Sequence, residues 1–211
     1  MGKLIALIGN TGVGKTTVAR ALAKTGGFNL GLEDHSNRPF QILLKSDPRY
    51  ALANQIDYLV FRAEQERILR QNPLPGLVDG GLDQDFHGFT QLFYTRCMLS
   101  EPEYEICYRL YTFIRSQLPT PDLVIHLTAA KAVIQQRLSD RKRINIAGSD
   151  DFDLLESYLG NWSSSLPSEQ VLHFDLSSSS PEYLELIPNL YSQIRSRLGL
   201  DIGSYDTGYI P

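Results

Sequence analysis

One eight-residue stretch constrains this chain more than any other: Gly9-Asn10-Thr11-Gly12-Val13-Gly14-Lys15-Thr16. It follows the apolar run Leu4–Ile8 and precedes a helical pattern from Lys15 to Lys24. The spacing is that of a phosphate-binding loop, G-x-x-x-x-G-K-[ST], in its strand–turn–helix setting. Glycines let such a turn wrap tightly and point its N–H groups inward, where they and the helix N-terminus cradle phosphate oxygens. In that pattern Gly9, Asn10, Thr11, Gly12, Val13, Gly14, Lys15, Thr16 and Thr17 are candidates for binding a purine triphosphate, ATP first. Lys15 would reach the outer phosphates, and the Thr16 hydroxyl would bind Mg²⁺.

The rest of the chain fits the architecture that this loop demands. Five short apolar runs, Leu4–Ile8, Phe28–Leu32, Gly76–Val78, Asp122–Leu127 and Val171–Phe174, lie between helical stretches. Runs with little alternation suit strands covered on both faces. Asp47-Pro48 and Ser100-Glu101-Pro102-Glu103 read as helix starts, the second with capping-box spacing. Leu52, Ile56, Leu59 and Ala63 form one apolar helix face, and Ile106, Leu110, Phe113 and Ile114 form another. Ser180-Pro181-Glu182 opens a last helix that Gly199 would stop. The expectation is an α/β fold, a three-layer arrangement of a five-stranded parallel sheet flanked by helices. No linker divides it, so residues 1–200 read as one domain and 201–211 as a tail.

Composition narrows the function classes. Twenty Lys and Arg against 24 Asp and Glu leave a net charge of −4 over 211 residues. That excludes a surface basic throughout and argues against nucleic acid or anionic membrane as partner. Apolar runs are too short for a membrane span or signal peptide, so a soluble, cytoplasmic protein is expected. Two cysteines, Cys97 and Cys107, cannot staple a chain of this size and are read as free buried thiols. No N-K-x-D run specifies guanine, and a length near 200 residues favours a small kinase over a larger motor.

Several further motifs, in order along the chain, resemble the deoxynucleoside kinase family. They are Gly31-Leu32-Glu33-Asp34-His35, Asn37-Arg38-Pro39-Phe40, Gln55 with Arg62, and Leu77-Val78-Asp79-Gly80-Gly81 followed by Asp85. Then come Pro121-Asp122-Leu123-Val124-Ile125-His126-Leu127 and Arg137-Leu138-Ser139-Asp140-Arg141-Lys142-Arg143. The resemblance implies a P-loop kinase fold with a lid at about residues 137–150, and transfer of phosphate from ATP to the 5′-hydroxyl of a deoxynucleoside in nucleotide salvage, purines slightly favoured. It implies Glu33 as general base, Asp79 with Thr16 at Mg²⁺, and Gln55, Arg62 and Asp85 at the base. Arg137, Arg141 and Arg143 would stabilise the transferring phosphoryl group, whose charge suits planar guanidiniums. Tyr158 and Trp162 resemble the aromatic segment after the lid. A homodimer is also implied.

The pattern is broken in places. Gly80 and Gly81 replace the family's Arg-Ser, Asp34 replaces a proline, Lys45 falls near a sugar-binding tyrosine and Ile146 near an acidic lid residue. An acceptor such as a nucleoside monophosphate, or a nucleotide-binding protein without kinase activity, are the alternatives these departures raise. His35, His87, His126 and His173 lack metal-ligand spacing, and His126 and His173 are read as hydrogen-bonded core residues. Phe86, Phe89, Phe93 and Tyr94 read as core. Asp175-Leu176-Ser177 stands where kinases of this type contact adenine. The segment 137–143 sums to +3, which leaves −7 for the remainder.

Overall fold

A computed structural model describes residues 1–32, 38–139, 149–180 and 182–200. All five expected strands form: β1 (Leu4–Gly9), β2 (Asn29–Gly31), β3 (Gly76–Asp79), β4 (Leu123–Thr128) and β5 (Val171–Asp175). They make one parallel sheet in the order β2-β3-β1-β4-β5. The central strand β1 is buried along its whole length, as its unbroken apolar run requires. Its residues alternate between layers. Ile5 and Leu7 pack with Val18, Leu22, Leu190 and Ile194, whereas Leu4, Ala6 and Ile8 pack with Leu69, Val124 and Trp162.

The helices are α1 (Lys15–Ala23), α2 (Pro39–Ser46), α3 (Ala51–Leu69), α4 (Leu82–Gln84), α5 (Gln91–Thr95), α6 (Glu101–Gln117), α7 (Lys131–Ser139), α8 (Phe152–Ser164) and α9 (Ile187–Leu198). A π-helical turn, Asp85–Thr90, joins α4 to α5, with Phe86 buried in its wall. Asp47 accepts from the Arg49 N–H and starts a 3₁₀ turn, Pro48–Tyr50, that leads into α3. At α6 the Glu103 carboxylate reaches back to the Ser100 N–H at 2.7 Å, as the capping-box spacing predicts.

The last helix departs from expectation. It starts at Ile187, because the Glu185 carboxylate takes the N–H and the hydroxyl of Ser180 and folds the segment into turns. Tyr183 sits there at φ +57° with its ring buried. Gly199, at φ +59°, stops α9 as expected. Two further readings are corrected. Cys97 is exposed, at a left-handed position after α5, and only Cys107 is buried. His173 points outward from the edge strand β5, while His126 lies in the interior of the sheet. No helix among the described residues is long and apolar enough to cross a membrane.

Candidate functional site

The loop between β1 and α1 is closed on itself. Lys15 Nζ donates to the carbonyls of Gly9 at 2.8 Å and Asn10 at 3.1 Å. Asn10 is buried; its Oδ1 accepts from the Thr11 N–H, and its Nδ2 donates to the Phe152 carbonyl at 2.9 Å. One side chain thus fixes the loop and ties it to the start of α8. The Glu156 carboxyl also faces Asn10; burial raises its pKa against the opposing pull of Asn10 and Lys15. Gly14 adopts φ +118°, and a Cβ there would meet the Tyr183 hydroxyl at 2.3 Å. The turn before α9 is therefore what presses on the loop from below, with Tyr183 donating to the Val13 carbonyl.

Thr16 Oγ1 donates to Asp79 Oδ2 at 2.5 Å, across from the first turn of α1 to the end of β3. A hydroxyl beside a carboxylate at the mouth of a phosphate loop is a donor set that suits Mg²⁺, a hard cation that takes a few protein oxygens and completes its shell with phosphate and water. The residues present thus fit the metal.

A second group of polar side chains stands on the other side of Asp79. Gln55 and Arg62, seven residues apart on α3, are both buried on one face. Arg62 Nε donates to Asp85 Oδ2 at 2.7 Å. Gln55 Oε1 accepts from the Thr90 hydroxyl at 2.9 Å, which fixes the orientation of its amide. The predicted trio is therefore brought together in one buried polar group between α3 and the π-helical turn. Gly80, the residue after Asp79, joins the two halves. It sits at φ +88°, and a Cβ there would lie 3.1 Å from Arg62 Nη2. A side chain at position 80 would thus start in tight contact with the Arg62 guanidinium.

The run Asp83-Gln84-Asp85, from α4 into the π-helical turn, couples these parts, and only Asp85 of it was expected. Asp83 accepts from Arg115 and from the Tyr111 hydroxyl, Gln84 Oε1 accepts from the Gly9 N–H at 3.0 Å, and Asp85 holds Arg62. Glu66 on α3 shares the Arg115 guanidinium at 2.8 and 3.0 Å. Burial works against the charge on Arg115, yet Asp83 and Glu66 outweigh it and raise its pKa. Burial next to Asp83 raises the Tyr111 phenol as well. Three polar residues in a row after a strand end are the one sequence signal that could have revealed this turn.

On the opposite side of the loop, a cleft of about 620 Å³ is lined by Gly12, Gly14, Thr17, Gln136, Arg137 and Ser177. Arg137 is placed here. Its Nη1 donates to the Val13 carbonyl at 2.8 Å and its Nη2 to the Leu176 carbonyl at 3.0 Å. These bonds tie α7 to the loop at Val13 and to the segment after β5 at Leu176. Lys45 lies exposed on α2. Glu33, Asp34, Arg141, Arg143 and Ile146, most of the expected lid and the tail 201–211 fall outside the described residues.

Comparison with known proteins bears on the family and the fold. The sequence profile of the deoxynucleoside kinase family matches residues 5–196. A curated deoxyadenosine/deoxycytidine kinase of Bacillus subtilis (strain 168) is 25% identical over 143 residues, 66% of this chain and 66% of that protein, just under two thirds of its length. Two solved structures of deoxyadenosine kinase from M. mycoides, one with bound dCTP and one with bound dATP, superpose with TM-scores of 0.74 at 21% identity. They cover 90% of this chain and 98% and 99% of theirs, and show the same fold.

Proposed function

The chain belongs to the deoxynucleoside kinase family, and from that premise we propose that it transfers the outer phosphate of ATP to the 5′-hydroxyl of a deoxynucleoside, with purines favoured. One observation carries the reading. Asp79 and Gly80 are consecutive, and the first touches the phosphate loop through Thr16 while the second is covered by Arg62 of the pocket. Donor and acceptor halves thus meet at one strand end, which is the requirement for in-line transfer.

In this reading the loop holds the donor phosphates, and Lys15 exchanges its carbonyl partners for phosphate oxygens. The cleft beside Arg137 and Ser177 takes the adenine, and Arg137 braces the wall between them. Thr16 and Asp79 hold Mg²⁺, which when bound neutralises charge on the phosphates. Glu33, which follows β2 in the chain, accepts the proton of the attacking hydroxyl. Arg141 and Arg143 meet the negative charge of the transferring group. Gln55 presents its amide, and Arg62 with Asp85 offers paired donors and acceptors, to the base. The names of the similar kinases, with deoxyadenosine common to them, support trying that substrate first.

We also assign the outer face of α6 to a second copy of the chain. Ile106, Tyr108 and Phe113 stand exposed there, at 46%, 46% and 65%.

The decisive assay supplies ATP and a panel of deoxynucleosides, ribonucleosides and monophosphates, and reads product. Turnover of a deoxynucleoside is expected; failure on every nucleoside would overturn the reading. Glu33→Gln should abolish transfer while ATP binding, followed by calorimetry, stays intact.

A further inference from the structure

Gln65 stands one helical turn after Arg62 on α3 and links that helix to the end of β2. Its Oε1 accepts from Arg62 Nη1 at 3.1 Å, and its Nε2 donates to the Leu32 carbonyl at 2.8 Å. Leu32 is the last described residue of the β2 end, and Glu33 follows it in the chain. On its other side Arg62 is held by Asp85 and lies against Gly80. The contacts therefore run without a break from the π-helical turn, through Arg62 and Gln65, to the end of β2.

Space has been made for this link on both strands. A Cβ at Gly31 would lie 3.0 Å from Gln65 Cδ and 2.8 Å from Leu69 Cδ1, so the absence of a side chain there lets Gln65 lie along β2. A Cβ at Gly80 would crowd the Arg62 guanidinium in the same way. Two glycines at neighbouring strand ends are matched to two polar residues on one helix. A glutamine is the side chain that can accept from an arginine and donate to a carbonyl at once. Packing alone would not require that choice at a half-buried position.

We propose that Gln65 is a positioning residue for phosphoryl transfer: it fixes the end of β2 to the Arg62–Asp85 pair, so that the pocket for the base and the strand that leads to Glu33 are held in one geometry. The inference rests on the proposed function, and deepens it. It also gives Gly80 a reason. Arg62 serves both the pocket and the strand ends, from the space that an arginine at position 80 would take. Misplacing a reacting group by about 1 Å costs up to about 10²-fold in rate, so a single brace at this point has kinetic weight.

Gln65→Met keeps the length and loses both bonds. Gln65→Glu keeps the acceptor for Arg62 and loses the donor to Leu32. Both should lower kcat on a deoxynucleoside by about tenfold or more, with KM for ATP unchanged. Hydrogen exchange in a peptide spanning residues 28–34 should quicken in both, while the thermal midpoint of Gln65→Glu stays near that of the parent. Parental kcat in both variants overturns the inference and leaves the proposed function standing. A parent enzyme inactive on every nucleoside overturns both, and the exchange result then says only whether the brace is real. Loss of kcat in Gln65→Met with full activity in Gln65→Glu also overturns it, because the bond to Leu32 would then be dispensable.

Discussion

Gly80 shows how one residue can mislead when read alone. As a departure from the family's arginine, it suggests a weakened or altered enzyme. In the folded chain it sits at φ +88° with the Arg62 guanidinium over it. Gly80→Arg is therefore expected to strain the turn by about 1–3 kcal/mol and to push Arg62 off Asp85. Activity should fall rather than rise, with a lower denaturant midpoint; a gain in kcat would refute this account. His126 makes a second prediction at the same scale. It is buried in β4 with Nδ1 bonded to Ser163, and its Nε2 has no partner. Burial, then the charges of His173 and Lys15, bring its pKa down to about 4. An unfolded chain takes up that proton near the ordinary value of about 6.5, so it binds more protons than the native state between the two. Stability should thus fall as pH drops from about 6.5 towards 4, by up to about 1.4 kcal/mol per pH unit from this group. His126→Asn should flatten that slope in denaturation curves at pH 7 and pH 5.

At the scale of elements, the fold is locked behind the site by charge. Arg115 of α6 binds Glu66 of α3 and Asp83 of α4, and all three are largely buried. Removing the cation leaves two buried carboxylates without it, a loss of about 3–5 kcal/mol. Arg115→Met should show that loss in urea unfolding and should also raise KM, because Asp83 is two residues from Asp85. A variant with parental stability would mean that water replaces the guanidinium. The element comparison also shows where local reading failed. A glutamate at 185 and a left-handed Tyr183 delay α9 until Ile187, and periodicity carries no sign of a capping bond made outside the helix.

At the scale of the whole molecule, the exposed apolar side chains on α6 carry the proposal of a second copy. Ile106 and Phe113, seven residues apart and so on one face of α6, stand exposed with Tyr108 nearby, and large exposed apolar patches mark interaction sites. Light scattering is expected to give twice the 23.8 kDa chain mass, and Phe113→Glu to give the monomer. A monomeric parent at working concentrations would dismiss that face as an interface.

The sequence by itself determined the parallel sheet and the phosphate loop with Lys15 and Thr16, while Asp79, Gln55, Arg62 and Asp85 entered through a resemblance to a family. The sheet and the loop are written in local patterns: apolar runs bounded by turns, and a glycine spacing. Only the tertiary structure decided that Arg62 fills the space over Gly80, that Arg137 braces the loop, and that Gln65, Gln84 and Asn10 join separate elements. The physical reason is that a hydrogen bond between residues far apart in the chain has no period. It exists only once the sheet order β2-β3-β1-β4-β5 has brought the two strand ends, and the helices above them, within reach.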